Sequence, residues 1–446
     1  MKVSLISKST TSANELTSHA AKTCYSADVP KLGISMDVEN HLFKTGHHTT
    51  FQHNYYTFNI DGISVNDTIF GLHLTHPFYN TDQRSGRFSK MYVKPDYDEL
   101  KEKIAKYYPN SPIDEVIEFI KQGRKIYKNN MEKATELATS LIKEERPFAN
   151  AEYIETNANK IAQEQMRMFI STIMPTALDY TLNLSAISAM YRASWNPEMR
   201  DVFEQIKKIV LKEEPNLEYI FKNQRQDNWT PDFISHCGIL TKPQLHKMDT
   251  IFSNVNYDFN AKEKDSVDLK QFTPEFMNNN FFVIQSEIEV SLATFAQDQR
   301  HRTLKRGIPT ITGNFYLPPI PAMLGLEKEA LEYMQSYDKL WKKLDKTLAL
   351  MIAPYGVMVK YSKKGDANAI IHEQEKRLCW SAQEEIYNLC REFYLKLHNS
   401  EKEQIKTLTK LLLPACHKSG CIEGRRYCGR DIKKCKGNDV VVERKI

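Results

Sequence analysis

The chain has no apolar run long enough to cross a bilayer, and its first residues, Met1-Lys2-Val3-Ser4-Leu5-Ile6-Ser7, lack the apolar core and cleavage site of a secretory signal. Those absences exclude a membrane partner and point to the cytoplasm, where cysteines stay as thiols or bind metals. An excess of charge of one sign is missing too: 61 basic residues face 56 acidic ones, a net of +5 over 446 residues. So even a balance excludes a broad nucleic-acid surface and leaves anion binding to local clusters. Disorder is not expected, because 41% of residues are hydrophobic and 26% charged, which is ordinary for a soluble chain with room for two cores.

The most informative local feature is Arg300-His301-Arg302, which closes a short apolar helix candidate, Leu292 to Ala296, and precedes a turn-rich stretch ending in Thr312-Gly313-Asn314-Phe315. An earlier segment repeats this frame. At a constant offset of 225, Tyr56, Phe58, Ile63, Val65, Phe70 and His76 face Phe281, Val283, Ile288, Val290, Phe295 and His301. The first copy has Thr75-His76-Pro77 in place of Arg-His-Arg, yet holds Ser85-Gly86-Arg87-Phe88 where the second has Thr-Gly-Asn-Phe. A second landmark, Arg192-Ala193-Ser194-Trp195 against Arg377-Leu378-Cys379-Trp380, recurs at a shorter offset and implies an insertion in the first half. The charged helices between residues 98 and 160 read as that insertion, a solvated hairpin.

Periodicity predicts strands at Val3 to Ile6, Asn54 to Ile60 and Phe281 to Val290. Helices are expected at 13–23, 38–44, 98–106, 113–142, 158–174, 186–210, 326–349 and 367–397. This is an α/β (α+β) chain with mixed sheet and long helices. Its expected divisions are a first copy over 1–222 with the insertion, a linker over 223–242, a second copy over 243–410, and a Cys-rich basic tail over 411–446.

Three basic groups in succession diverge by about 100° each on a helix, so Arg300, His301 and Arg302 suit a helix end that aims them at a polyanion. Arginine forks match phosphate oxygens in bidentate fashion. Gln297 adds an amide able to read a base or ribose edge. Ser85, Gly86 and Arg87 combine a hydroxyl, close backbone approach and a guanidinium, which suits a phosphate or a pyrimidine oxygen. The bland alternatives are a solvated basic helix end, a plain turn, and a surface Arg377 paired with Glu373.

His47-His48-Thr49-Thr50-Phe51-Gln52-His53, the strand Tyr55 to Ile60, and Ser85-Gly86-Arg87-Phe88 resemble the N-terminal signature of the flavin-dependent thymidylate synthases (ThyX). Gln297, Arg300, His301 and Arg302 resemble the start of that family's RHRxxSxNxxSxRY motif, and Arg377 to Ile386 resembles its distal nucleotide-binding helix. The resemblance implies two tandem copies of that fold and the reductive methylation of dUMP to dTMP with methylenetetrahydrofolate and FAD reduced by NADPH. It implies that Arg300, His301, Arg302, His47, Thr49 and Gln52 face FAD. Gln297, Gln83, Ser85, Arg87 and Arg377 face dUMP, with Ser85 and Arg377 in the catalytic roles and Ser85 a hydrogen-bonding group, not a nucleophile. A homodimer forming a pseudo-tetramer is the implied assembly. Lys305 and Asn314 depart from the motif's serine and arginine, Thr75 and Pro77 from its arginines, and Gln83 stands in place of its glutamate.

Of the cysteines, only Cys379 falls within these motifs, where it reads as a helix packing residue; this argues against the classical synthase with its cysteine nucleophile. Cys416, Cys421, Cys428 and Cys435, with His417 among them, are candidate zinc ligands without standard spacing. Three rivals stand beside the synthase: a non-catalytic paralogue that binds nucleotide or flavin, a flavin-dependent methyl or hydroxymethyl transferase on another pyrimidine nucleotide, and a nucleic-acid binder using Arg425 to Lys445. The last leaves the duplicated core unexplained.

Overall fold

The computed structural model describes residues 1–74, 79–86, 95–222, 274–418, 420–431, 433 and 441–446, and the backbone alone of 247–253. The expected linker over 223–242 lies outside the described residues. The chain forms an α/β fold of two compact units, one of Met1–Ser111 with Thr172–Pro231 and the other of Pro112–Ser171 with Asp232–Ile446.

In the first unit β1 (Lys2–Lys8), β2 (Tyr55–Ser64), β3 (Tyr79–Gln83) and β4 (Pro175–Asn183) form an antiparallel sheet in the order β1-β2-β4-β3. Alternation decides its faces: Tyr56, Phe58 and Ile60 of β2 are buried with Leu178, Tyr180 and Leu182 of β4. Two strands run straight into capped helices. The Ser64 hydroxyl accepts from the Asp67 amide at 3.0 Å, and Asn183 Oδ1 accepts from the Ala186 amide at 2.8 Å.

In the second unit β5 (Lys247–Ser253), β6 (Val283–Ser291), β7 (Lys305–Arg306), β8 (Thr310–Phe315) and β9 (Val357–Asp366) build an antiparallel sheet in the order β5-β6-β9-β7, with β8 also on β9. Again two strands end in caps: Ser291 Oγ accepts from the Thr294 amide at 3.1 Å, and Asp366 Oδ1 from the Ala369 amide at 2.8 Å. The caps Ser64 and Ser291 are 227 residues apart (291 − 64), two more than the offset of 225 read from the apolar residues. A bulge in β2 between Asp61 and Ile63, with Gly62 at φ 86°, accounts for one extra residue within the strand.

Of the charged helices between residues 98 and 160, Tyr97–Tyr107 belongs to the first unit, and Ile113–Glu145 and Ala151–Met166 belong to the second. They are not solvated all round. Val116, Phe119, Ile120, Tyr127, Ala138 and Leu141 are buried, and Phe119 stacks on Tyr333 at 4.6 Å between ring centroids. Gly123 sits where a Cβ would strike the Phe169 carbonyl and the Tyr333 hydroxyl.

Several long helices break. Residues 186–210 divide into Leu184–Ala193 and Pro197–Glu213, because Pro197 can only begin a helix and Asn196 caps it. Residues 326–349 divide at Asp345, the cap of Lys346–Met351. Residues 367–397 divide into Ala367–Arg377 and Glu384–His398, so Cys379 lies in a turn and is not a helix packing residue. The end of the chain is packed, not a free tail: Arg444 and Ile446 are buried.

Candidate functional site

The site is built on the helix Leu292–Asp298, whose first turn is locked by Glu385. That carboxylate accepts from the Ser291 amide at 2.8 Å, from Thr294 Oγ1 at 2.7 Å and from Ser291 Oγ. At the other end Asp298 is buried among Arg306 Nε at 2.5 Å, Lys363 Nζ at 2.9 Å and Tyr361 Oη at 2.8 Å. Lys363 also reaches Glu373 at 2.8 Å. The two cations hold Asp298 well below the usual carboxylate range despite its burial, while burial raises Glu373. This network ties the helix end to β9 and to Ala367–Arg377.

Arg300, His301 and Arg302 therefore leave the helix at a fixed point, as their spacing implied. Arg300 and Arg302 are half-buried; His301 is buried. His301 Nε2 accepts from Arg377 Nε at 2.9 Å, and Arg377 Nη2 donates to the Gln297 carbonyl at 2.8 Å. Burial, then the Arg377 charge, push the His301 pKa far down, so its ring is neutral. Glu373 belongs to Lys363, so the surface pairing of Arg377 with Glu373 does not occur. Gln297 Nε2 donates to the Ala293 carbonyl at 3.1 Å and to Gln383 Oε1, which also accepts from Arg167 Nη2 at 3.0 Å. Gln297 Oε1, Gln383 Nε2 and His301 Nδ1 are buried and have no partner among the described residues.

The structure thus assembles Gln297, Arg300, His301, Arg302 and Arg377, and adds two residues to which sequence reading gave no role. Gln383 was visible beside Arg377, but the helix break that turns it inward was not. Arg167, at the end of Ala151–Met166, carries no motif signal at all. The two motif departures in this unit are peripheral: Lys305 is exposed on β7, and Asn314 Nδ2 donates to Glu289 Oε1 at 2.6 Å, as does Thr312 Oγ1 at 2.6 Å.

In the first unit Gln83 ends β3 and donates from Nε2 to Thr68 Oγ1 at 3.1 Å, with half-buried Ser85 just beyond it. Arg87 and Thr75-His76-Pro77 lie outside the described residues. His47 and Thr49 are exposed and Gln52 half-buried around the turn His48–His53, where the His48 carbonyl accepts from Ser185 Oγ at 2.7 Å. Gln83 pairs with Leu178, whereas β2 begins opposite Asn183, which separates the two sets by roughly 17 Å of strand. The first unit holds them as two groups, not one.

Cys435, one of the four candidate zinc ligands, lies outside the described residues, so the full set of candidate ligands is not described. Among the described residues no group of three or more His, Cys, Asp or Glu could hold a metal ion. Cys416 Sγ faces Arg430 Nη1 at 3.9 Å, and Cys421 Sγ accepts from the Glu423 amide at 3.5 Å. Burial raises the Cys421 and Cys428 thiols. No described helix is long and apolar enough to cross a membrane.

No curated protein matches the chain. Among solved structures, the flavin-dependent thymidylate synthase ThyX of Helicobacter pylori complexed with FAD and dUMP is 15% identical, covers 51% of this chain and 100% of its own, and has a TM-score of 0.29. A second structure of that enzyme with FAD and dUMP gives 15%, 50%, 100% and 0.30. A UMP/dUMP methylase, PolB from Streptomyces cacaoi, bound with 5-Br dUMP, is 14% identical over 51% of this chain and 97% of its own, at a TM-score of 0.34. The sequence model of the family described as "Thymidylate synthase complementing protein" matches residues 4–216 of the chain.

Proposed function

We propose that this protein is a FAD-dependent enzyme that converts dUMP to dTMP, with methylenetetrahydrofolate as one-carbon donor and NADPH as reductant. The observation that carries the reading is the unsatisfied amide pair. Gln297 Oε1 offers an acceptor and Gln383 Nε2 a donor, both buried beside a neutral His301 and fixed by Arg167 and Arg377. Buried polar atoms are seldom left unpaired without a use. A pyrimidine's imide edge, with N–H beside C=O, has the complementary pattern.

The residues also fit the flavin. Arg300 and Arg302 are half-buried at a helix end pinned by Asp298, a placement suited to a diphosphate. Bound FAD, once reduced, supplies the electrons for the reductive step. The chain's own part is orientation: Arg300 and Arg302 hold phosphate, His301 holds Arg377 in place, and Gln297 and Gln383 read the base. In this reading Arg377 stabilises negative charge developing on the uracil. Ser85 and Arg87 take the nucleotide's oxygens, and His47, Thr49 and Gln52 the flavin. Two tandem copies of one fold are supported by the shared strand order and by the paired caps Ser64 and Ser291. A homodimer forming a pseudo-tetramer follows from the family resemblance.

The test is an absorbance spectrum of the purified protein with and without added FAD, followed by dUMP titration and assay of dTMP. Flavin bands perturbed by dUMP are expected. Arg300→Ala loses flavin, while Arg87→Ala keeps flavin and binds dUMP weakly; the reverse pattern refutes this division of roles. Absence of flavin under either condition favours a non-catalytic nucleotide-binding paralogue.

A further inference from the structure

The turn between Ala367–Arg377 and Glu384–His398 is ringed by three arginines from distant parts of the second unit. Arg146 follows the helix Ile113–Glu145, and Arg430 and Arg444 come from the C-terminal segment; their exposures are 3%, 4% and 2%. Trp380 is their common platform. Arg430 lies over its ring at 4.4 Å and Arg444 at 5.4 Å, and Arg146 Nη2 donates to its carbonyl at 3.2 Å.

Each guanidinium has other partners. Arg146 Nη1 donates to Tyr153 Oη; Arg444 donates to an oxygen of Ile446, the last residue of the sequence, at 2.6 Å and to the Ala382 carbonyl at 3.3 Å; Arg430 Nη1 lies 3.1 Å from His417 Nε2. Carbonyls freed by the helix break are thereby capped. Neither Arg146 nor Arg430 is within salt-bridge distance of a carboxylate side chain among the described residues, whereas Arg306 pairs with Asp298, and Lys363 with Asp298 and Glu373. Arg146 Nε and Arg444 Nη1 have no partner among the described residues, and Trp380 Nε1 faces the Tyr387 hydroxyl. Burial, then the Arg146 charge, draw the Arg444 pKa down to about 10, as expected of cations that share a space. Stacking and carbonyl bonds satisfy donors but do not neutralise the buried charges of Arg146 and Arg430.

We propose that Arg146, Arg430 and Arg444 form a second anion site on Trp380 that takes a phosphate group. Guanidinium forks match phosphate oxygens. The site is separate from the one assigned to dUMP and FAD, and does not depend on that assignment.

The experiment is a titration of the full chain with inorganic phosphate, then with AMP, at constant ionic strength set by chloride, followed by melting temperature and tryptophan fluorescence. A saturable rise in Tm is expected, with Arg430→Gln binding at least about ten-fold more weakly and retaining its flavin response. Arg430→Gln should also melt higher than the parent in phosphate-free buffer, since it removes an uncompensated charge. Response to inorganic phosphate identifies the free ion as sufficient; response to AMP alone identifies a nucleotide phosphate. No saturable response to either, equal affinity in Arg430→Gln, or competition by dUMP would overturn the second site.

Discussion

Replacing Glu384 by Gln should make the protein less sensitive to alkali. Glu384 is 2% exposed and directly follows Gln383, and Tyr316 Oη donates to its Oε1 at 3.3 Å. Burial, then the charges of Glu164 and Glu385, push its pKa from 4.5 up to about 8. The folded state thus holds this proton more tightly than the unfolded chain. Its contribution to stability is fully present below the unfolded value and is lost as pH rises from 4.5 through about 8. The loss runs at about 1.4 kcal/mol per pH unit, with a ceiling of about 5 kcal/mol over the window. Gln keeps an acceptor for Tyr316 and cannot ionise, so Glu384→Gln should approach or exceed parent stability above pH 8. Urea unfolding followed by tryptophan fluorescence from pH 5 to pH 9.5 measures both proteins. Parallel profiles would show that Glu384 is charged throughout and refute the reasoning. Ionisation beside Gln383 should also loosen the amide pair, so dUMP binding by the parent should weaken over the same window.

Arg377→Ala strands His301 Nε2 and the Gln297 carbonyl; equilibrium dUMP titration should show binding at least about ten-fold weaker, and Arg377→Lys should not restore it because lysine lacks the fork. Asp298→Asn leaves Arg306 and Lys363 short of a buried countercharge, which should cost about 3–5 kcal/mol in urea unfolding and release flavin as the Arg300 anchor loosens. Gly123→Ala, favourable by helix propensity, should instead destabilise by about 1–3 kcal/mol, because the added methyl meets the Phe169 carbonyl and the Tyr333 hydroxyl; a gain in Tm would contradict that packing.

Much of the site was legible because its chemistry is local. Three basic residues after a short apolar run can only leave a helix end, and Arg300, His301 and Arg302 do so. The strands at 55–64 and 283–291 were legible for a similar reason, since alternating aromatic and β-branched residues match a pleat. The helix breaks were harder. Pro197 marks one openly, but the break before Gln383 leaves no proline or glycine, and depends on Glu384 and Glu385 being drawn into the core.

The sequence by itself determined the class of elements, the helix end that carries Arg-His-Arg, and the chemical types gathered there, because propensity and spacing act over a few residues. Tertiary structure alone decided which long-range partners complete them. Arg167 reaches Gln383, Lys363 reaches Asp298, and Arg146, Arg430 and Arg444 meet at Trp380. Each of those meetings is set by the packing of segments far apart in sequence, where burial makes a missing partner costly and no short-range pattern records the choice.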